Sequence, residues 1–300
     1  HAMHHPLELT LSDNAESFAL KSTIETDLRK KFVRGTLLLE ETPLRNFNVF
    51  IPSQILANLT LTDGTLALDG QFFSDLQAAT PVIEGPLKIK LNEARISAEP
   101  LKVDGLSGDL AFASLNPLTT AEPQTLSFQS LASLIALENG RLDFSLTPEG
   151  KIRLHAFRGG FAGGAVSLAP LEYDPVQGAP ETVTLRISEL DIAQLVEMSQ
   201  VEDLKVTGRL SGKATFNTDP DNFAVTDGRL ENSGSGIIHY NPEDYPPFLE
   251  GQDQRMEIVR GAMTRLEYDE LTLDFNGAVN GDMDARLHAQ GFNRALFGDR

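Results

Sequence analysis

The chain has 300 residues, of which 41% are hydrophobic and 23% charged, a balance typical of a folded protein and not of a disordered one. Its 43 acidic residues exceed its 25 lysines and arginines, and the net charge of -18 repels phosphate backbones and anionic bilayer surfaces, which disfavours nucleic acid as a partner. The chain contains no cysteine, so disulfide bonds and thiolate metal sites are excluded.

The ends of the chain carry no recognisable targeting signal. Residues 1–6 have the composition of an expression-tag remnant and are left out of the functional argument. We expect any natural anchor or export signal to have been removed at this end. The sequence has no run of about 18 apolar residues, so we predict no transmembrane helix in it.

Segments in which apolar and polar residues alternate are the main pattern of the sequence. Such segments begin at Leu7, Leu87, Leu142, Val183 and Leu271. This period of two is typical of strands with one dry and one wet face, and it favours antiparallel over buried parallel sheets. We therefore predict a mostly β fold.

A Gly-x-Leu triplet recurs along the chain. It reads Gly-Arg-Leu at Gly208 and at Gly228, and we interpret each of these two glycines as the turn that opens a new strand. Further copies begin at Gly35, Gly64, Gly85, Gly108 and Gly140, with a Met version at Gly281. Their irregular spacing predicts a β meander and not a solenoid of fixed period.

Helices are predicted in three short segments. These are Leu190–Ser199 with Ser188 as its cap, Gln254–Thr264, and Ser130–Glu138. Loops rich in Pro, Gly and polar residues are predicted at 77–81, 116–123, 174–180 and 241–247. Because none is long enough to act as a tether, we predict one elongated β body with a weak seam at Pro117–Pro123, dividing residues 7–122 from 123–300.

The sequence contains no motif typical of catalysis or metal binding. Its histidines lack the paired spacing of a metal site, its Ser-Gly run lacks the frame of a nucleophile elbow, and its acidic loop lacks the terminal Glu of an EF-hand. The residues concerned are His155, His239, His288, Ser233–Gly236, Asp219, Asp221, Asn222 and Asp227. The run Gly159–Gly164 lacks a phosphate-binding Lys and is interpreted as a kink in a curved sheet. We predict no enzyme activity, no cofactor and no metal.

The apolar strand faces leave three interpretations open. The faces form the core of a closed sandwich or barrel, or they face lipid in a transmembrane barrel, or they line an open, curled sheet that holds acyl chains in a trough. The second is disfavoured because the chain has no Trp and four Tyr with which to form aromatic girdles.

Five segments carry a resemblance to a known family. They are LENGRLDFSL at Leu137–Leu146, FAGGAVSLAPLEYD at Phe161–Asp174, Leu185–Phe216, DGRLENSGSGIIHY at Asp227–Tyr240, and Arg265–Asn293. From about Thr125 onward the sequence resembles the carboxy-terminal domain of YdbH-type members of the AsmA-like family, a domain also labelled "dicarboxylate transport". The first 120 or so residues share only β character with it.

The resemblance implies a Gram-negative periplasmic protein, anchored in the inner membrane by an amino-terminal helix, that carries phospholipids toward the outer membrane. The fold implied is an elongated, curled antiparallel sheet that forms an open, taco-like hydrophobic groove with two or three short helices. A small outer-membrane lipoprotein is the implied partner, docking by strand addition at the carboxy-terminal edge. A dicarboxylate site is not supported, because the sequence offers no convergent Arg cluster.

We predict that apolar residues of the alternating strands line the lipid groove. They are Leu142, Phe144, Leu185, Ile187, Leu210, Phe216, Leu271, Leu273, Phe275 and Leu287. For each of them ordinary core packing is the alternative. At the level of function, the alternatives are a β-sheet interaction scaffold for envelope proteins that transfers no lipid, and a hydrolase or sugar-binding protein, which a Trp-free chain disfavours.

Overall fold

A computed structural model describes residues 3–13, 16–50, 59–77, 82–98, 101–133, 135–178, 180–199, 201–219, 222–242, 254–278 and 281–294. The chain forms two compact units, which are His1–Gly159 with Ala169–Pro180, and Gly160–Leu168 with Glu181–Arg300. The predicted division between residues 122 and 123 falls inside the first unit and stays a prediction.

The predicted fold class is confirmed, because the described residues form strands that pair in antiparallel fashion, with only two α-helices. The strands are β1 (Met3–Asp13), β2 (Glu16–Asp27), β3 (Phe32–Pro43), β4 (Leu59–Asp75), β5 (Ile83–Ala98), β6 (Leu101–Asn116), β7 (Leu118–Thr120), β8 (Gln124–Ala132), β9 (Ala136–Leu146), β10 (Ile152–Phe161), β11 (Gly164–Leu168), β12 (Leu171–Tyr173), β13 (Thr182–Asp191), β14 (Leu204–Thr207), β15 (Arg209–Asn217), β16 (Ala224–Asn232), β17 (Gly236–Tyr240), β18 (Leu266–Ala278) and β19 (Met283–Phe292). The helices are α1 (Ile192–Ser199) and α2 (Gln254–Met263), and a 3-10 helix, η1, spans Leu44–Phe50.

The first unit is a meander, as the irregular Gly-x-Leu spacing predicts. Strands β1 to β6 pair with their neighbours in chain order, and β6, β8, β9, β10 and β12 continue the sheet. Strand β7 pairs with the end of β6. Among the described residues, no register pair joins β1 to β12.

The second unit has a sheet in the order β11, β13, β15, β16, β18, β19. Strand β18 is long enough to hold two neighbours on the same edge. Its end at Thr272–Ala278 pairs with β16, whereas its start at Leu266–Tyr268 pairs with β17, which in turn pairs with β14. Among the described residues, no register pair joins β11 to β19, the two strands at the ends of this order.

The Gly-Arg-Leu triplets at Gly208 and Gly228 have different roles. Gly208 directly precedes β15 with a φ of 127°, as predicted for a strand opening. Gly228 lies inside β16, so the prediction that it opens a strand is wrong. A Cβ at Gly228 would lie 2.6 Å from the ring of Phe275, which shows that this glycine makes room for an aromatic side chain of the neighbouring strand.

The helix predictions are correct in part. Helix α2 lies where it is predicted. Helix α1 begins at Ile192 and is capped by Asp191, whose Oδ1 accepts a 2.9 Å hydrogen bond from the backbone N–H of Ala193, whereas Ser188 belongs to β13. The predicted helix at Ser130–Glu138 is wrong, because this segment closes the hairpin of β8 and β9.

The glycine run Gly159–Gly164 contains a turn between two strands, with Gly159 and Gly160 in β10 and Gly164 in β11. Ala162 and Gly163 have φ angles of 43° and 69° and form the turn between β10 and β11. Two successive residues with positive φ are typical of two-residue hairpin turns, which explains why a glycine stands in one of the two positions.

Candidate functional site

Strand pairing places the apolar residues of the second unit in rows that cross the sheet. Paired residues on neighbouring strands point to the same face. One row consists of Leu168, Leu185, Ala214, Gly228, Phe275 and Ala285, and the next of Val166, Ile187, Gly212, Leu230, Leu273 and Leu287. We call these two rows the second apolar face. No charged residue interrupts either row across its strands.

The opposite face of the same sheet is charged. The row between the two apolar rows consists of Ser167, Arg186, Lys213, Arg229, Asp274 and Arg286. Arg229 lies 2.9 Å from Glu231 and 3.2 Å from Asp274 in ion pairs, and these carboxylates, Glu231 first, raise the pKa of its guanidinium. This face is therefore the one that faces water, and exposed pairs of this kind add little to stability.

The first unit repeats the arrangement. One row consists of Leu20, Leu39, Leu68, Ile89 and Leu110, and the next of Leu37, Gly70, Leu87 and Phe112. We call these rows the first apolar face. On the reverse side, the row Lys21, Leu38, Asp69, Lys88 and Ala111 carries the charges.

A hollow of about 830 Å³ lies at the end of the first unit's strands, next to Phe112. Its lining is mainly apolar and includes Phe73, Val82, Pro86, Ala113, Pro117 and Pro148. Glu84 is the one charged residue in the lining that the structure describes. Ligand pockets of this size are commonly lined in this way.

The ten residues predicted to line a groove fall into three groups by exposure. Ile187, Leu210 and Leu271 are buried, with exposed fractions of 9%, 3% and 3%. Leu287 is 61% exposed, and the remaining six are half-buried. Those six are Leu142, Phe144, Leu185, Phe216, Leu273 and Phe275.

Two of the three buried residues, Leu210 and Leu271, belong to the end of the second unit where the short strands pair. Leu210 pairs with Leu190, which is equally buried, and Leu271 lies three residues after the fully buried Tyr268. Tyr268 donates a 2.7 Å hydrogen bond to the carbonyl of Thr207 at the end of β14. The side chains at this end are therefore buried because they pack in a local core. The open part of the second apolar face lies toward Phe216 and Phe275.

The register also identifies residues of the apolar faces that sequence reasoning did not select. Leu168 and Leu230 complete the rows of the second unit, and Leu39, Leu68 and Leu110 form the centre of one row in the first. Alternation in single strands was visible in the sequence, but the pairing that joins the strands into rows was not.

The histidines and serines that the sequence analysis weighed as catalytic or metal-binding residues form hydrogen bonds within the fold or are exposed. His155 Nε2 forms a 2.9 Å hydrogen bond with Ser145 Oγ, His239 Nδ1 bonds to the carbonyl of Thr264, and His288 is exposed on β19. Ser233 lies in the turn between β16 and β17, and its hydroxyl lies 3.1 Å from that of Ser211. Asp221, part of the acidic loop, lies outside the described residues.

Neither a metal cluster nor a membrane-crossing helix is found in the part of the chain that the structure describes. No three His, Asp or Glu side chains there are grouped so as to hold a metal ion. No helix there is long and apolar enough to cross a membrane.

Together these features define a mostly β protein whose two units each carry one apolar and one charged sheet face. A family model described as YdbH-like, "Intermembrane phospholipid transport protein YdbH", matches residues 6–300, and the chain belongs to this family. The match extends over the amino-terminal part, where the sequence segments had carried no resemblance. No curated protein and no solved structure matches the chain.

Proposed function

We propose that the chain is part of a periplasmic conduit that carries phospholipids between the inner and outer membranes, with acyl chains against its apolar faces and head groups in water. The observation that carries the proposal is the row structure of these faces, in which apolar residues follow one another from strand to strand while the charges lie on the reverse side. The description of the family as intermembrane phospholipid transport supports it.

The geometry of the rows explains how transport would proceed without a catalytic group. Strands lie about 4.8 Å apart, so an apolar row that crosses six strands is roughly 24 Å long. Each CH₂ of an acyl chain that leaves water gains about 0.8 kcal/mol, and this gain changes little from one strand to the next because the row contains no charge. An acyl chain can therefore shift along the row without a large barrier.

Side chains that are not buried are the ones we assign to lipid contact. Leu185, Leu273, Phe275 and Leu287 retain accessible surface on the second apolar face. Phe216 does so two residues beyond Ala214 on β15, and Leu142 and Phe144 do so on β9. We assign Ile187, Leu210 and Leu271 to the packing that supports this surface, since their side chains are buried.

Strand β19 is the site that we propose for the outer-membrane lipoprotein. It pairs with β18 from Phe292 to Met283, and the described residues provide no strand on its other edge. Nearly all of its residues are exposed. An exposed edge of this length is a template for an added strand. The same edge is what a scaffold without lipid transfer would use, and so it does not distinguish the two functions.

Substitutions on the two sides of one strand test the proposal. In β3, Leu37 belongs to the first apolar face, whereas its neighbour Leu38 points to the charged side. We expect Leu37→Glu to stop the transfer of fluorescent phospholipid between donor and acceptor vesicles, and Leu38→Glu to leave it unchanged, because only the first places a charge in an apolar row.

The same experiment applies to the second unit and to β9, with Leu273→Glu and Phe144→Asp as the disrupting changes. Circular dichroism and thermal unfolding show which variants keep the fold. The proposal fails if folded variants of Leu37, Leu273 and Phe144 transfer lipid at the rate of the wild-type protein.

A further inference from the structure

The turn between β2 and β3 concentrates positive charge in a strongly acidic chain. Arg29, Lys30 and Lys31 follow one another there, and no other two lysines or arginines are adjacent in the sequence. All three side chains are exposed. In the described part of the chain, none of them forms an ion pair, whereas Arg34 in the same hairpin lies 2.7 Å from Glu25.

Hydrogen bonds hold this turn in one conformation. Asp27 Oδ1 accepts hydrogen bonds from the backbone N–H groups of Arg29 and Lys30, at 2.9 and 3.0 Å. The carbonyl of Lys31, whose φ is 55°, accepts a 2.8 Å hydrogen bond from the N–H of Leu76 at the end of β4. Asp27 is thus engaged by the backbone, whose hydrogen bond from Lys30 is the main cause of its lowered pKa, and the charge of Lys30 lowers that pKa further. The turn is also tied to the neighbouring strand end.

Apolar side chains are exposed beside these cations. Leu28, the first residue of the turn, is 66% exposed, and Leu76 is 45% exposed. Phe73, also exposed, stacks on Phe32 with ring centroids 6.0 Å apart. Exposed leucines next to unpaired lysines and arginines are typical of segments that lie at the interface of a bilayer, where apolar groups enter the acyl region and cations remain at the phosphates.

We propose that the tip formed by Leu28–Lys31 and Leu76 docks on the surface of a bilayer that contains anionic phospholipid. The cations would contact lipid phosphates, and the two leucines would enter the interface below them. The net charge of the whole chain repels an anionic surface, but charges farther than about 8 to 10 Å are largely screened at physiological salt, so the cations of the tip dominate at this contact. Near the tip, Glu25 is paired with Arg34, and Asp75 accepts a 2.8 Å hydrogen bond from the N–H of Gln77. The proposal does not depend on lipid transport.

Vesicle flotation of the whole chain tests this docking. The probes are vesicles of phosphatidylcholine mixed with phosphatidylglycerol and vesicles of phosphatidylcholine alone. We expect binding to the mixed vesicles that weakens with salt. The triple variant Arg29→Gln, Lys30→Gln, Lys31→Gln should reduce the bound fraction about tenfold or more, since each basic residue near an anionic surface adds to the attraction.

A matched control separates the effect of the tip on vesicle binding from the effect of the overall charge. The variant Lys88→Gln, Lys90→Gln, Lys102→Gln removes the same charge from β5 and β6, and it should bind as the wild-type protein does. A second variant, Leu28→Ser with Leu76→Ser, should also weaken binding. The docking is refuted if the tip variant binds like the wild type, if the control loses as much, or if vesicles without anionic lipid bind equally well.

Discussion

The hydroxyl of Tyr268 donates a hydrogen bond of 2.7 Å to the backbone carbonyl of Thr207, across 61 residues of sequence. The side chain is fully buried, and it lies against Gly208 and Gly236, where a Cβ would overlap the phenol oxygen. This contact joins β14, β17 and β18 at the end of the second unit where its local core lies. Gly208 and Gly236 therefore leave room for the side chain of Tyr268.

Replacing Tyr268 with Phe should lower the free energy of unfolding by about 1 to 2 kcal/mol, because the carbonyl of Thr207 loses its buried donor. Urea denaturation measures this difference. Tyr173→Phe is the control, since the hydroxyl of Tyr173 has no hydrogen-bond partner among the described residues. An unfolding midpoint of Tyr268→Phe that equals that of Tyr173→Phe would contradict the assigned role.

The same tyrosine predicts a change of stability at alkaline pH. Burial raises the pKa of Tyr268 above its ordinary value of 10.0. Because Tyr268 ionises at a lower pH in the unfolded chain than in the folded one, its contribution to the free energy of unfolding is fully present below about pH 10. This contribution is lost as the pH rises through the folded-state pKa. The advantage of the wild-type protein over Tyr268→Phe should therefore shrink above about pH 10. Denaturation curves at a series of pH values test this, and a constant difference would refute it.

Alternation predicted the faces of single strands correctly, because the period of two is a local property of the chain. Leu185 with Ile187, and Leu271 with Leu273, share a face as the sequence indicates. The role of Gly228 was not predictable, since it depends on Phe275 from a strand far along the chain. The buried state of Leu210 depends in the same way on long-range pairing.

Gly228→Ala should lower the free energy of unfolding by about 1 to 3 kcal/mol, because the new Cβ would lie 2.6 Å from the ring of Phe275. The double variant Gly228→Ala, Phe275→Leu should recover part of this loss, since the smaller side chain leaves room. A double-mutant cycle measured by urea denaturation gives the coupling between the two positions. Additive effects would show that the two side chains do not compete for the same space.

Asn48→Ala should destabilise the first unit by about 1 to 3 kcal/mol. The amide of Asn48 in η1 donates to the carbonyl of Leu61 at 2.6 Å and accepts from its N–H at 2.8 Å, so both backbone groups would lose their partner. Hydrogen exchange at the Leu61 amide should become faster in the variant. Unchanged exchange at this amide would mean that the two bonds do not hold η1 against β4.

Native mass spectrometry of the purified protein, with lipid extraction of the same sample, tests most directly whether the apolar faces hold acyl chains. We predict that phospholipid copurifies with the wild-type protein and with Leu38→Glu, and that Leu37→Glu and Leu273→Glu lose it while they remain folded. A wild-type protein that is free of lipid after isolation and takes up none from vesicles would contradict the conduit and favour a scaffold.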